Sequence, residues 1–313
     1  MQKAFLNALY DLAENDTNVF LLSADNGTEF DKWFKSDFPQ QYLEFGIAEC
    51  NMVGAAAGMA ACGKIPFVHT AGVFLAYRAY EFVRNDVCFQ NLNVKIIGFG
   101  SGLSNSTLGP SHHSTEDISV LSSLPNLTIL SPCCPLETEK AIKEAYEIVG
   151  PVYIRIGLCG EPEIEQAGSD FLKGKNNTIL PGTDIAIFST GTIITEVLGA
   201  ADLLKNSDIS ARVINVNTLK PIDRNNIIKN SSTIKYMVSV EEHNIIGGLG
   251  SLIEGVIVQE QLDVKLIKIG LIDCFAKGYG TQLDLQKVNG LDRVGIFDTI
   301  VRQMKNLKIR IKE

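Results

Sequence analysis

Short apolar runs alternate with longer amphipathic stretches along almost the whole chain. Runs such as Val94-Lys95-Ile96-Ile97 are nearly continuous, as parallel strands buried on both faces of a sheet require. The stretches between them carry apolar residues at helical spacing. This alternation predicts an α/β fold with two doubly wound domains, at residues 1–160 and 183–313.

The expected elements follow from these runs. In the first domain we predict strands at Val19–Ser23, Tyr42–Phe45, Pro66–Thr70, Val94–Gly98, Leu127–Leu130 and Val152–Ile156, and helices at Gln2–Asn15, Glu49–Ala61, Val73–Gln90, Thr115–Ser123 and Pro135–Val149. In the second domain we predict strands at Ile185–Ser189, Arg212–Asn215, Tyr236–Val240 and Val264–Ile269, and helices at Ile193–Leu204, Ile246–Gln259 and Val294–Met304. Turn signals cluster between the domains, so residues 161–182 are predicted to form a linker.

Composition narrows the class of protein. The chain has 313 residues, of which 45% are hydrophobic and 20% charged, and its net charge is -8. This surplus of negative charge disfavours nucleic acid as a partner. No secretory leader or membrane span is recognisable. The seven cysteines form no paired framework, which favours free thiols in a reducing compartment such as the cytoplasm. Because no zinc-ligand spacing is present, we expect no structural metal on this chain.

Glu49 stands where an α/β sheet commonly binds its ligand. It follows the predicted strand Tyr42–Phe45 and opens the predicted helix Glu49–Ala61. Ligands of open α/β sheets lie beyond the carboxyl ends of the strands. An acidic residue in a first helical turn is also favoured by the helix dipole alone. Position by itself therefore allows a structural role as well as a functional one.

Two histidines lie in a loop at the same edge. His112 and His113 follow the strand Val94–Gly98, and Ser114 and Asp117 behind them have the spacing of a capping box, which predicts a helix start. A loop histidine can simply be solvated. Two of four histidines at a ligand edge make acid–base or binding chemistry an equal alternative.

Aromatic residues mark the predicted helix Val73–Gln90. Phe74, Tyr77 and Tyr80 lie at helical spacing, which is typical of a core stripe. One ring reaching beyond the strand ends could instead stack on a flat heterocycle.

Three glycines, Gly247, Gly248 and Gly250, lie near the start of the predicted helix Ile246–Gln259. A glycine-rich helix start could hold an anion. It could also only permit a tight turn and close helix packing, and we favour packing because a partial glycine pattern is weak evidence.

Several motifs, in order, resemble those of transketolases. The pyrimidine-binding module of that family is similar to Gly46-Ile47-Ala48-Glu49, Arg78-Ala79-Tyr80, Gly109-Pro110-Ser111-His112 and Leu124-Pro125-Asn126-Leu127. Its C-terminal domain is similar to Leu219-Lys220-Pro221-Ile222-Asp223 and to residues 241–250. The related 1-deoxyxylulose-5-phosphate synthases share the same modules. The resemblance covers nearly the whole chain.

The resemblance implies transfer of a two-carbon ketol unit from a ketose to an aldehyde with thiamine diphosphate. Glu49 matches the catalytic carboxylate that hydrogen-bonds N1′ of the aminopyrimidine and favours its imino tautomer. Phe74 matches the ring that stacks on the pyrimidine, and Tyr77 and Arg78 are further cofactor-binding candidates. His112 matches a catalytic histidine facing the donor, with the adjacent His113 as a substrate-binding candidate.

The resemblance also implies a partner chain. Transketolases bind the diphosphate and Mg²⁺ with an N-terminal module that carries Gly-Asp-Gly, and this sequence contains no Gly-Asp-Gly. We therefore expect the C-terminal subunit of a split transketolase, with the metal ligands on an N-terminal subunit. Two copies of each chain would form a heterotetramer, because sites of the family lie between paired subunits.

Three positions depart from the family pattern. Leu108 stands where the family usually has an Asp that contacts a substrate hydroxyl, Leu158 where an Arg grips the sugar phosphate, and Ala71 where an aromatic residue is common. Leucine can neither hydrogen-bond a hydroxyl nor pair with a phosphate. We therefore expect an atypical sugar substrate, either deoxy or nucleotide-linked, with Leu108 at the substrate.

Two alternatives stay open. The β subunit of a 2-oxoacid dehydrogenase E1 component has the same two modules on a separate chain, although the Gly-Ile-Ala-Glu and Gly-Pro-Ser-His-His motifs favour a transketolase. A catalytically silent scaffold subunit would tolerate the departures at Leu108 and Leu158, but it would not need Glu49 and Phe74.

Overall fold

The computed structural model describes residues 1–26, 29–158, 160–167, 171 and 173–306. Within these ranges the strands are β1 Val19–Ser23, β2 Tyr42–Glu44, β3 Ile65–Ala71, β4 Lys95–Phe99, β5 Thr128–Leu130, β6 Val152–Arg155, β7 Asn177–Leu180, β8 Ile185–Ser189, β9 Ala211–Asn215, β10 Thr218–Lys220, β11 Tyr236–Asn244 and β12 Lys265–Leu271. The α-helices are α1 Gln2–Asn15, α2 Glu29–Asp37, α3 Glu49–Ala61, α4 Tyr80–Phe82, α5 Asp117–Ser122, α6 Pro135–Glu147, α7 Ile194–Lys205, α8 Arg224–Ser231, α9 Leu249–Gln259, α10 Gln282–Val288 and α11 Arg293–Asn306.

The first sheet has seven strands in the order β10-β5-β6-β4-β3-β1-β2. All neighbours pair in parallel except β10, which joins β5 antiparallel. The chain moves from β1 to β2 on one side and then crosses to β3 on the other. The strand order therefore reverses between β1 and β3, which is the point where sheets of this kind bind ligands.

The second sheet has five strands in the order β12-β11-β8-β9-β7, and its edge strand β7 is antiparallel. The expected fold class, α/β with two doubly wound domains, is confirmed. Every predicted strand is present, whereas the sequence patterns missed β7, β10, α2, α8 and α10. Within the described ranges no helix has the length and hydropathy needed to cross a bilayer.

The domain boundaries stay a prediction, because the two halves of the chain interlock. Strand β7 lies inside the predicted linker 161–182 and belongs to the second sheet. Strand β10 comes from the second half of the chain and completes the first sheet. Residues 168–170 and 172 of the predicted linker, and residues 307–313 at the end of the predicted second domain, lie outside the described residues.

The predicted helix Val73–Gln90 is not a regular α-helix. It consists of two π-helical turns, Phe74–Arg78 and Val83–Cys88, on either side of the short helix α4. The amide of Ala79 donates to the carbonyl of Phe74 at 3.1 Å and closes the first turn. Such turns are rare and are frequently found at functional sites.

The hydrophobic core is shared between the two domains. One buried apolar cluster contains Ile118 and Leu121 of α5 together with Leu249 and Ile253 of α9. Burial of apolar surface is the main favourable term in folding, so this cluster fixes α5 and the loop before it relative to the second domain.

Candidate active site

A cleft of about 390 Å³ opens where the strand order of the first sheet reverses. Its walls come from the segments that follow β1 and β3, the start of α3, the first π-helical turn and the loop after β4. Gly46 has a left-handed backbone, with φ of +62°, and turns the chain from β2 into α3. The carboxylate of Glu44 accepts the amides of Gly46 at 2.8 Å and Asp25 at 3.0 Å, which ties two walls of the cleft together.

Glu49 is buried in this cleft and carries an ion pair. Its side chain accepts a hydrogen bond from Nη1 of Arg78 at 2.8 Å, and only 3% of that side chain is exposed. Arg78 itself is 47% exposed. A buried carboxylate needs a partner to offset its lost hydration. Arg78 supplies that partner from the rim, where water still solvates its own charge.

Phe74 lies between the other two polar groups of the cleft. The Arg78 guanidinium carbon is 4.6 Å from the centroid of the Phe74 ring, and the His112 ring meets it edge-on at 5.2 Å between centroids. Nδ1 of His112 is 3.0 Å from the Ser111 hydroxyl. The cleft therefore combines a carboxylate, an aromatic face, a cation and an imidazole.

The structure brings together most, but not all, of the predicted site residues. Leu108, which is 57% exposed, and Ala71 line the cleft with Glu49, Phe74, Arg78 and His112. Tyr77 and His113 do not line it. The Tyr77 hydroxyl donates to the Glu116 carboxylate at 2.9 Å and accepts the Glu116 amide.

His113 is buried behind the cleft wall. Only 3% of it is exposed, and its Nε2 lies 3.4 Å from the carbonyl oxygen of Ser106. Burial lowers the pKa of this imidazole. Leu158, which the sequence placed at the phosphate position, is also absent from the cleft lining.

Sequence patterns missed a second group of lining residues. Asp25 and Asn26 follow β1, and Phe99 and Asn105 end or follow β4. Asp25 has a left-handed backbone with φ of +52°, which is uncommon for a residue with a side chain. The turn signal Asp25-Asn26-Gly27 directly after a predicted strand was the available clue.

A buried ion pair fixes the loop that carries His112. Nε of Arg155 donates to Asp117 at 2.9 Å, and its Nη2 donates to the carbonyls of Ser114 and Glu242 at 3.1 Å. Arg155 and Asp117 are both almost completely buried. Because Glu242 belongs to the second domain, this guanidinium joins the histidine loop to both domains.

The capping box predicted for Ser114 and Asp117 is not formed. Helix α5 does begin at Asp117, but its start has no side-chain cap. The carboxylate of Asp117 is used instead by Arg155 and by the hydroxyl of Tyr153. A charged partner outweighs a local backbone bond, since charge-assisted hydrogen bonds are the stronger ones.

The glycines before α9 serve both of the expected purposes. The amides of Leu249 and Gly250 donate to the Glu241 carboxylate at 2.6 and 2.9 Å, so the helix start does hold an anion, which the chain itself provides. A Cβ on Gly248 would lie 2.1 Å from that carboxylate. A glycine is therefore needed for space.

The described residues offer no metal site of their own. No group of three or more His, Cys, Asp or Glu side chains in the described ranges is placed to hold a metal ion. The six cysteines within those ranges are free thiols, three of them buried. Cys159 lies outside the described residues.

Fold and site together define a two-domain α/β chain with a paired carboxylate at the switch point of its first sheet. The family model for the transketolase pyrimidine binding domain matches residues 1–157, and the model for the transketolase C-terminal domain matches residues 174–296. The chain belongs to the transketolase family, and the resemblance found in the sequence is confirmed.

Relatives that are single subunits align with almost the whole chain. One of the two named subunits of an apulose-4-phosphate transketolase from Actinobacillus succinogenes is 37% identical over 265 residues, which is 85% of both chains. A 6-deoxy-6-sulfo-D-fructose transketolase subunit of a Clostridium species is 32% identical over 278 residues, covering 88% of this chain and 86% of the relative. A solved structure of a split gene transketolase, an inactive beta4 tetramer, has a TM-score of 0.88 and 35% identity, covering 96% of this chain and 97% of the other.

Proposed function

We propose that this chain is the C-terminal subunit of a two-chain transketolase. With thiamine diphosphate, the assembled enzyme transfers a two-carbon ketol unit from a ketose donor to an aldehyde acceptor. The observation that carries the proposal is the buried Glu49 carboxylate at the switch point of the sheet, paired with Arg78 and placed near the ring of Phe74.

The residues of the cleft fit the aminopyrimidine half of the cofactor. A heteroaromatic ring needs a stacking face and a polar partner for its nitrogen. Phe74 provides the face, and the Glu49 carboxylate provides the partner. The cleft has room for a small heterocycle, since its volume is about 390 Å³. Bound thiamine diphosphate would supply the nucleophilic carbon to which the ketol unit is transferred.

Each residue then has a separate role. Glu49 would share a proton with N1′ of the aminopyrimidine, which is general acid–base work for a positioned carboxylate. Arg78 keeps one oxygen of Glu49 fixed through its 2.8 Å hydrogen bond. His112, at the edge of Phe74, would hold or move a proton at the oxygen of the donor carbonyl.

The diphosphate and Mg²⁺ are assigned to a partner chain. The described residues offer no metal cluster, and the sequence lacks the Gly-Asp-Gly of the family's diphosphate-binding module. One relative is named as a single transketolase subunit, and the structural neighbour is a split gene transketolase, so both support an N-terminal partner. We propose a heterotetramer in the cytoplasm, where free thiols stay reduced.

We propose an atypical sugar as the substrate. Arg78 is the one Lys or Arg among the described residues that line the cleft, and it is already paired with Glu49. Leu108 adds an apolar side chain to the lining. This wall therefore holds no unpaired cation for a phosphate. The relatives named for apulose 4-phosphate and 6-deoxy-6-sulfofructose support a substrate other than a common pentose phosphate.

The test is to co-purify this chain with an N-terminal subunit that carries Gly-Asp-Gly, encoded by a neighbouring gene. The complex should bind thiamine diphosphate with Mg²⁺ and consume a ketose. Ordinary transketolase rates on xylulose 5-phosphate with ribose 5-phosphate would contradict the atypical substrate. Formation of acyl-lipoamide from a 2-oxo acid would contradict ketol transfer itself.

A further inference from the structure

Asn26 lies in the candidate active site with its side-chain amide group held on three sides. Nδ2 of Asn26 is 2.9 Å from the Ser23 hydroxyl, 3.0 Å from Nδ1 of His69 and 2.7 Å from the backbone carbonyl of His69. A backbone carbonyl can only accept a hydrogen bond. The amide nitrogen must therefore be the atom that faces His69, which fixes the orientation of the whole side chain.

His69 is suited to hold that orientation at all working pH values. It is fully buried, and burial lowers its pKa to about 3. The ring lies between Phe5 and Phe99, with centroids at 4.9 and 5.1 Å. A neutral imidazole that accepts at Nδ1 carries its proton on Nε2.

That proton makes no hydrogen bond. Nε2 of His69 is buried and has no partner among the described residues. An unsatisfied buried donor costs about 1–3 kcal/mol, and such costs concentrate where a site demands a particular arrangement. The arrangement that is obtained here is the fixed amide of Asn26.

The remaining atom of Asn26 is its carbonyl oxygen. Oδ1 makes no hydrogen bond within the described part of the chain, and half-buried Asn26 lines the same cleft as Glu49 and His112. Because the amide hydrogens are used within the protein, Asn26 presents only an acceptor to a ligand. A hydroxyl group is the donor that a sugar offers to such an acceptor.

We propose that Asn26 is a substrate-binding residue whose Oδ1 accepts the hydroxyl hydrogen of the ketol unit, and that His69 is the positioning residue which orients it. The assignment rests on the proposed function, since it requires a ketol donor in this cleft. The hydroxyl next to the transferred carbonyl is chosen because Asn26 shares the cleft with Glu49, at the reacting end of the donor.

The experiment uses the two-chain enzyme loaded with thiamine diphosphate and Mg²⁺. Hydroxypyruvate is the probe donor because it carries the ketol hydroxyl, and pyruvate is the matched probe without it. Asn26→Ala should raise KM for hydroxypyruvate roughly three- to tenfold, as expected for one hydrogen bond. The turnover of pyruvate and the Kd for thiamine diphosphate should not change. Asn15→Ala, at an exposed asparagine of α1, is the control.

The positioning role of His69 is tested by non-additivity. His69→Phe removes the Nδ1 acceptor and should raise KM for hydroxypyruvate in the same direction. In the Asn26→Ala background it should add nothing, because the two residues act as one unit. If His69→Phe fails to fold, Ser23→Ala removes another acceptor of the same amide and should give the same pattern.

Several outcomes would overturn the inference. An unchanged KM for hydroxypyruvate in Asn26→Ala would remove Asn26 from the substrate. An equal weakening of thiamine diphosphate binding would assign Asn26 to the cofactor instead. In both cases an active wild-type complex leaves the proposed function intact. A wild-type complex that neither binds thiamine diphosphate nor consumes hydroxypyruvate would refute the proposed function, and the role of Asn26 with it.

Discussion

Replacing Glu49 by glutamine separates a catalytic subunit from a scaffold. The amide has the same shape as the carboxylate, and its oxygen can still accept the 2.8 Å hydrogen bond from Arg78. Because the side chain of Arg78 is 47% exposed, losing the ion pair should cost less than about 1 kcal/mol of folding free energy. Losing an acid–base group should lower the rate by a factor on the order of 10²–10⁴, equivalent to about 3–5 kcal/mol in the barrier.

These two magnitudes make the result easy to interpret. The assay measures ketol transfer by the reconstituted two-chain enzyme at saturating thiamine diphosphate, together with the melting temperature of each variant. Glu81→Gln, at an exposed glutamate of α4, is the matched control and should change neither quantity. A Glu49→Gln enzyme with the wild-type rate would refute the proton-sharing role, and the chain would then be better described as a scaffold.

Three further predictions concern the surroundings of the site. The pKa of His69 is lowered to about 3 in the folded chain and is about 6.5 when unfolded, so its contribution to stability is complete above pH 6.5 and is lost as the pH falls. Between pH 7 and pH 5 the wild type should therefore lose about 2 kcal/mol that His69→Phe does not lose, and parallel urea titrations of the two proteins that show the same pH dependence would contradict this. Asp117→Ala leaves the buried Arg155 guanidinium without its carboxylate and should cost about 3–5 kcal/mol in urea unfolding; a loss below about 1 kcal/mol would show that the pair is not needed for stability. Leu108→Asp should improve kcat/KM for xylulose 5-phosphate relative to the wild type, because a carboxylate can accept a substrate hydroxyl, and an unchanged value would mean that Leu108 does not select the sugar.

The fold could be predicted largely from the sequence because its central strands are buried on both faces. Continuous apolar runs such as β4 and β8 have no other stable location. The edge strands β7 and β10 escaped prediction for the same reason. Each is only three or four residues long and pairs antiparallel at the edge of a sheet, so neither needs a long apolar run. The pairing of β10 with β5 is a tertiary fact that no local pattern contains.

Helix prediction failed where tertiary contacts override local preference. The stripe Phe74, Tyr77 and Tyr80 predicted one regular helix, but two π-helical turns interrupt it. In the structure Arg78 of the first turn pairs with the buried Glu49. Periodicity cannot reveal such a turn, since the apolar positions are the same to within one residue.

The candidate site was only half visible in the sequence. Glu49, Phe74 and His112 stand in motifs, and the structure gathers them in one cleft. Asp25 and Asn26 stand in no motif that was recognised, and they reach the cleft because β1 lies beside β3 at the switch point. Adjacent positions in a motif can also diverge, since His112 faces the cleft whereas His113 is buried behind it.

The most direct test of the account is a titration of thiamine diphosphate, in the presence of Mg²⁺, into this chain, its N-terminal partner and their equimolar mixture. We predict saturable binding by the mixture that is at least tenfold tighter than by either chain alone, at about one cofactor per pair of chains, because each chain holds one half of the molecule. A mixture that binds no better than its separate components would contradict a cofactor site shared between two subunits.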